Sequence, residues 1–375
     1  MALEIRPARS KKDMRAFIEF PYELYRSDPL WIPQLLMQEK AQFDRRKNPA
    51  FSYCDAEYFL ATRDGKTVGR TAAIVNNRYL EKLVRKCGRF GWFECENNPE
   101  TADALLLAAE NWLLERGMEE ISGPMGFTDN DMIGFLVEGF NELPTIAGSY
   151  SPPYYNDFVT GRGYEKEVDY VEFRLTAPEA VPEKVTRLAE IVKRRTSVRV
   201  FNETSRRKLA KRWGHQVFDV LNASYAELHG TTLLDEKEIE YYIDTYLGHV
   251  DPEFIKLAAD GDRLVGFIIA MPNLSRAFQK AKGHLFPFGF IHIYRGMKQS
   301  KVLDFYLAGI RPEYRNKGVD ALLSYEMGVS ALRNGMEYGE SNRELEDNVK
   351  IQAMWKLYEK RLHRRTRVYR KQLSQ

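Results

Sequence analysis

The stretch Asp304-Phe-Tyr-Leu-Ala-Gly-Ile-Arg-Pro-Glu-Tyr-Arg315-Asn-Lys-Gly318-Val-Asp320-Ala-Leu-Leu323 decides how this chain is read. It opens as an apolar strand, breaks at Pro312, passes through a short basic turn and resumes as a helix. A turn that opens a helix leaves several backbone N–H groups without intrahelical acceptors, at the positive end of the helix dipole. Together these make a seat for a phosphate group. Arg315 and Lys317 add positive charge, and Gly318 lets a ligand approach the main chain closely. Asp320 falls in the first helical turn, where a carboxylate caps its own helix or competes with a phosphate.

Working outward, the 375 residues exceed one comfortable hydrophobic core and predict two domains. An apolar fraction of 44% with 29% charged residues is that of an ordinary globular protein. The formal net charge of +3 is too small to argue for a nucleic-acid partner. No apolar run approaches a membrane span, and Met1-Ala-Leu-Glu-Ile-Arg6 has no apolar signal core. Cys54, Cys87 and Cys95 are odd in number and read as free thiols of a reducing compartment, so a cytoplasmic location is expected. The histidines (His215, His229, His249, His284, His292 and His363) lack ligand spacing, and no metal is expected.

The chain carries one unit twice. Tyr58–Val75 reads as a hairpin about Asp64-Gly65, and Phe254–Ala270 repeats it about Asp260-Gly261, roughly 196 positions later. Leu3-Glu-Ile-Arg6 and Ser197-Val-Arg-Val-Phe201 are the matching first strands. Helices end at Arg116-Gly117-Met118-Glu119 and at Asn334-Gly335-Met336-Glu337, an offset enlarged by about 21 that fits an insertion after Met271. Thr176-Ala-Pro-Glu-Ala-Val-Pro182 is the expected linker. The predicted division is 1–175, a linker over 176–185, and 186–375. Each half reads strand, helices, hairpin, strand, helix, strand, helix, an α/β layered arrangement.

The Arg315-to-Asp320 loop resembles the acyl-CoA pyrophosphate loop of the GNAT (N-acetyltransferase) superfamily, whose pattern is Arg/Gln-x-x-Gly-x-Gly/Ala; Asp320 departs from its last small position. The order of elements matches the GNAT fold in both halves, so the chain resembles a bacterial tandem-GNAT protein. The resemblance implies two mixed-sheet domains in tandem, flanked by helices. It implies acetyl-CoA or a longer acyl-CoA as co-substrate, held by Ile310, Arg315, Asn316, Lys317, Gly318, Val319 and Asp320, with an amine acceptor. It also implies a backbone N–H on the strand Lys301–Ile310 as donor to the thioester oxygen, with Leu307, Ala308 and Gly309 as candidates and Ala308 preferred. Asp304 stands where histone-acetylating relatives carry an acidic base; the bland alternative is a carboxylate paired with a nearby Lys or Arg. Trp355-Lys-Leu-Tyr358-Glu-Lys resembles the helix whose Tyr protonates the leaving thiolate, and Tyr358 is the matching residue. Ile351, Leu362 and His363 depart from that segment's pattern, while Arg367-Val-Tyr369-Arg reads as the last strand.

The N-terminal half is expected to be non-catalytic. There Arg89–Cys95 runs into Glu96-Asn-Asn-Pro99-Glu100, which offers carboxylates where phosphates would sit. Ser151-Pro-Pro-Tyr154-Tyr155-Asn156 with Gly163-Tyr164 resembles the last segment of the GNAT unit, and the resemblance puts Val159 in the place of the catalytic Tyr. The run Leu285–Tyr294 is dense in aromatics and either walls a greasy channel or covers the joint between the halves. The acidic turn Phe127–Gly134 either attracts a cationic amine or caps the next helix at Asp129 or Asp131. Basic runs at 193–212 and 360–371 read as solvated helix faces that help to steer CoA. Peripheral membrane contact is expected if the acceptor is a lipid, and a monomer or homodimer fits the duplication. The expectation is thus a GNAT-type N-acyltransferase. Its alternatives are a non-catalytic CoA- or lipid-binding scaffold and a long-chain acyltransferase acting on a lipid amine.

Overall fold

The computed structural model describes residues 2–247 and 250–374; His249 lies outside the described residues. The first half runs β1 (Leu3–Pro7), α1 (Lys11–Leu24), α2 (Leu36–Gln42), β2 (Cys54–Arg63), β3 (Lys66–Asn76), α3 (Asn77–Leu83), β4 (Cys87–Cys95), α4 (Pro99–Leu114), β5 (Glu120–Gly123), β6 (Phe135–Glu138), α5 (Tyr154–Gly161) and β7 (Glu165–Thr176). The second half begins α6 (Glu183–Arg195), β8 (Arg199–Phe201), α7 (Arg206–Lys208), α8 (Gly214–Tyr225), α9 (Glu236–Tyr242), β9 (Ile255–Asp260) and β10 (Arg263–Pro272). It continues α10 (Ser275–Ala281), α11 (Gly289–Gln299), β11 (Val302–Ile310), α12 (Val319–Arg333), β12 (Tyr338–Ser341), β13 (Glu344–Leu345), α13 (Val349–Met354) and β14 (Lys360–Gln372).

The duplication read from the sequence is a duplication of structure. Each half folds a hairpin at its Asp-Gly turn, with Gly65 at φ +76° and Gly261 at φ +62°, values a side chain disfavours. Each pairs a short first strand onto that hairpin, β1 on β2 and β8 on β9. The stops of α4 and α12 match bond for bond. Gly117 N donates to Leu114 O and Met118 N to Leu113 O; Gly335 N donates to Leu332 O and Met336 N to Ala331 O. Gly117 and Gly335 take φ +74° and +64°, the left-handed conformation such a helix stop requires.

The compact units cut across the halves. Unit 1 is Met1–Val171 with Ala277–His292 and Arg364–Gln375; unit 2 is Glu172–Arg276 with Ile293–His363. The sequence assigned 364–375 and 277–292 to the second domain, but both segments pack with the first. In unit 1, strand order β1-β2-β3-β4-β5 is completed by the end of β14, with Tyr369–Gln372 antiparallel to Glu120–Gly123. In unit 2, β8-β9-β10-β11-β12 is completed by the end of β7, with Arg174–Thr176 antiparallel to Tyr338–Glu340. Each sheet therefore takes its sixth strand from the other half of the chain. Residue 176, expected in a linker, ends a strand, and β14 begins at Lys360, seven residues before the expected Arg367.

Each sheet has helices on both faces. Leu105, Leu106, Ala109 and Leu113 of α4 close one face of unit 1, and Phe17 and Ile18 of α1 belong to the cluster on the other. In unit 2, Val319, Leu322, Leu323 and Met327 recur at helical spacing and pack α12 onto the sheet. Val217, Phe218, Val220 and Leu221 of α8 close the other face.

The second basic run is not a helix face. Arg364 is fully buried in unit 1 and donates to the carbonyls of Glu142 (3.1 Å) and Ser149. Arg367 meets Asp169 at 2.7 and 2.9 Å. These cations hold the last strand in place. Replacing Arg364 with Met should cost unit 1 about 2–3 kcal/mol. The check is a lower urea midpoint at unchanged slope for the transition of unit 1.

Candidate active site

The site grows from an irregularity in β11. This strand runs antiparallel to β10 up to Ile310, but its ladder skips between Ile269↔Leu307 and Ala270↔Phe305, which leaves Tyr306 as an extra, bulged residue. On its other edge β11 runs parallel to β12 only over Val302–Phe305 against Tyr338–Ser341. Beyond the bulge the two strands part. Arg311 N donates to Val265 O, so by strand alternation Leu307 and Gly309 bond toward β10, while Ala308 and Ile310 face the gap. Of the three amides the sequence offered, Ala308 is the one on the open edge. Side chains meet the carbonyls along it: Asn342 donates to Tyr306 O (3.2 Å), Tyr225 to Ala308 O (3.0 Å) and Ser224 to Ile310 O (3.1 Å).

At the top of the gap stands the loop in which a phosphate seat was expected. Gly318 is the N-cap of α12 at φ +79°, and no side chain caps that helix. Asp320 is exposed and makes no cap bond, so it leaves the first-turn amides open to a ligand. Asn316 also takes a left-handed φ of +60°, which turns the loop. Arg315 is tied down, its Nη2 donating to Ser224 O at 3.1 Å, while Lys317 is exposed above the Tyr314 ring. A Cβ on Gly318 would lie 2.3 Å from Val192 Cγ2 of α6, so the position tolerates nothing larger.

Asp304 lies at the base of the gap and is 2% exposed. Asn273 Nδ2 reaches its two oxygens at 2.9 and 3.1 Å, and Tyr306 Oη approaches Oδ2 at 3.4 Å. Directly across the ladder is Glu340, also buried, with Arg174 3.5 Å from its carboxylate. Burial, then repulsion from Glu340, pushes the Asp304 carboxyl well above its ordinary range. It is therefore no ordinary surface ion pair. A carboxyl that holds its proton so tightly is, once ionised, a strong base.

Tyr358 is on the other face. Phe305 next to Asp304 packs toward α12 and against Trp355, so strand alternation turns Asp304 the opposite way. Tyr358, with Phe305, Gly328 and Trp355, lines an apolar cavity of about 70 Å³ beneath α12. The helix expected to carry Tyr358 stops at Met354; a 3₁₀ turn follows over Trp355–Leu357, and Tyr358 itself is extended. Of the departing residues, Ile351 lies in α13, and Leu362 and His363 lie within β14. Burial raises the Tyr358 hydroxyl, so the phenol keeps its proton at neutral pH.

The first half carries the same devices with other contents. β4 bulges at Trp92, where φ is +45°, and pairs with β5 only over Cys87–Arg89. Arg89 holds the ladder position that Asp304 holds in β11, and donates to the carbonyls of Gly126 (3.2 Å) and Phe127 (3.0 Å). Tyr155 Oη accepts from Cys95 N at 2.8 Å, and Asn98 Oδ1 accepts from the first-turn amides of α4 at Glu100 and Thr101. Arg63 pairs with Glu96 and Glu100 beside them. Val159 is buried core. Asp131, expected to cap a helix or to greet an amine, is half-buried and caps the Thr128 amide of its own turn at 2.9 Å.

Sequence reasoning missed Glu340, Asn273 and Tyr306. The signal for Glu340 was a carboxylate inside Tyr338-Gly-Glu-Ser341, a strand otherwise bound for the core. The aromatic insertion does not line the cavity; Phe286, Phe288 and Phe290 are exposed.

No protein-family model matches the chain. It is 27% identical to protein YghO of Escherichia coli, over 98% of this chain and 95% of that protein. It is 26% identical to the bacterial ceramide synthase of Caulobacter vibrioides, over 92% of this chain and 89% of that one. Among solved structures it is similar to a tandem GNAT protein of the clavulanic acid biosynthesis pathway (TM-score 0.56, 12% identity), covering 100% of this chain and 99% of that one. The fold is the tandem GNAT fold.

An aspartate that binds its proton more tightly folded than unfolded adds stability that is complete below its unfolded pKa of about 3.9 and is lost as pH climbs toward the folded value. Asp304→Asn removes that titration. The melting temperature of the variant, relative to the native chain, should rise steadily from pH 5 to pH 8. A difference that stays constant with pH would mean Asp304 is ionised throughout.

Proposed function

We propose that this chain, a tandem GNAT-fold protein, is an acyl-CoA-dependent N-acyltransferase whose chemistry belongs to unit 2 and whose acceptor is a lipid amine. The observation that carries the reading is the buried Asp304 at the base of the β11–β12 gap, below an edge amide and an uncapped helix start. In this reading the α12 amides, Arg315 and Lys317 hold the pyrophosphate, with Ile310, Asn316 and Val319 beside it. Ala308 N–H donates to the thioester oxygen as negative charge gathers there. Asp304, once it has lost its own proton to water, accepts the proton of the attacking neutral amine as nitrogen bonds to the acyl carbon. The C–S bond then breaks, and Tyr358 gives its proton to the departing thiolate. Both groups return to their resting state by exchange with water.

Acetyl-CoA is the default donor of the superfamily. The apolar cavity beside Tyr358 supports an acyl group longer than acetyl. So does the relative named for ceramide synthesis, since a ceramide is a fatty amide of a long-chain amine.

Tyr358→Phe should lower kcat by about a hundred-fold or more while changing donor affinity by less than about two-fold. Calorimetric titration with palmitoyl-CoA and acetyl-CoA, alongside turnover with a sphingoid amine, measures both. Donor binding with no turnover on any amine would favour the non-catalytic scaffold. Lys317→Glu, on an exposed side chain, should weaken binding of every CoA thioester about ten-fold and leave the melting temperature unchanged.

A further inference from the structure

The insertion between β10 and β11 is the one conspicuous block of sequence that the acyl-transfer reading leaves unused. It is not loose. Gln279 Nε2 donates to Pro29 O (2.7 Å) and Trp31 O (3.1 Å), and Gly283 O accepts from Leu36 N at 2.8 Å, so its first part is fastened to unit 1. Beyond this anchor the chain folds into a knuckle. Phe290 N donates to Leu285 O (2.8 Å) and Ile291 N to Phe288 O (3.1 Å). A Cβ on Gly289 would lie 1.8 Å from His284 O, so only glycine permits a turn this tight.

The knuckle presents what a soluble surface normally hides. Phe286 is 78% exposed, Phe288 67% and Phe290 49%, and the rings of Phe286 and Phe290 lie 5.9 Å apart. Three neighbouring phenylalanines held outward by a rigid turn form an apolar patch, not scattered exposure. The charge along this stretch of chain is one-sided. From Arg263 to Leu303 there is no Asp or Glu, although the chain has 53 of them in 375 residues. Over the same span Arg276, Lys280, Lys282, Arg295 and Lys298 are all exposed. A second protein surface would need a carboxylate rim to match these cations. An anionic bilayer matches both properties at once, taking up the aromatics at headgroup depth and holding the cations electrostatically.

We infer that the knuckle Leu285–Phe290 docks this protein peripherally on anionic lipid membranes, with Phe286, Phe288 and Phe290 inserted into the interface and Lys280 and Lys282 on the phosphates. Among the described residues no helix is long and apolar enough to cross a membrane; the contact proposed is an interfacial, reversible one made by the knuckle. This goes beyond the acyl-transfer reading and stands whichever amine is acylated.

The test is flotation of the full chain with vesicles of phosphatidylcholine alone or with about one-third phosphatidylglycerol. The native chain should float with the anionic vesicles and release at high salt. The Phe286→Ser/Phe288→Ser/Phe290→Ser variant should lose at least about ten-fold of the bound fraction, and Lys280→Glu/Lys282→Glu should lose binding in step with vesicle charge. All five positions are exposed, so melting temperatures should match the native chain. Failure of the native chain to float would overturn the inference, as would a serine variant that floats equally well. So would a native dimer that the serine variant converts to monomer without any vesicle binding, since the patch would then join two copies. CoA binding by calorimetry, measured on the same variants, reads the acyl-transfer proposal separately.

Discussion

β11 carries one residue more than its neighbour β10 can pair, and the arrangement of unit 2 follows from how that residue is accommodated. A bulge raises the local twist, and a strand twisted away from a parallel neighbour loses its ladder on that side. Tyr306 is that residue, so β11 leaves β12 after Phe305. The backbone edge this uncovers is where Ala308 points. The carboxyl just below the departure point stays sealed in the sheet beside Glu340, which is why it cannot ionise freely. One irregularity thus creates both the open donor and the carboxyl whose affinity for a proton is raised. Neither would survive in a regular six-stranded sheet.

Duplication shows which parts of this device are scaffold and which are chemistry. Both halves keep the bulge, the parting of strands and the glycine stop of the following helix. Among the described residues, only the second half leaves the amide of the gap and the helix start free of side-chain caps. In the first half Asn98 takes the helix amides, Tyr155 the strand amide, and Arg89 turns a would-be carboxylate position into a clamp on two carbonyls. The backbone geometry has been kept where its polar groups are satisfied internally, and its cost is offset by three hydrogen-bonding side chains.

The sequence disclosed those elements whose signals are local. Asp-Gly turns, helix-stop glycines and the basic glycine loop each have a conformational reason that acts within a few residues, and each was found where expected. What escaped depends on partners remote in the chain. Glu340 matters because it faces Asp304 across a parallel ladder, and Asn273 because β10 ends beside β11. The arginines of the last strand looked like solvated charge because their acceptors at 138–169 are some two hundred residues away. Tyr358 was matched by resemblance to a helical residue, yet the helix stops at Met354 and a 3₁₀ turn leads into an extended Tyr358, because a helix and such a turn share the same apolar spacing here.

The traded sixth strands bind this protein's folding to the timetable of its synthesis. Gly123 waits for Tyr369 to emerge, and at 5–20 residues per second the interval is about 12–50 s. During that interval β5 is an open edge on a nascent chain, the kind of surface that recruits strands from other molecules. The second sheet meets no such delay, because its borrowed strand is made before the rest of it. A ribosome that stalls just before Tyr369 would therefore carry a chain whose late-made unit is nearly whole and whose early-made unit is unfinished.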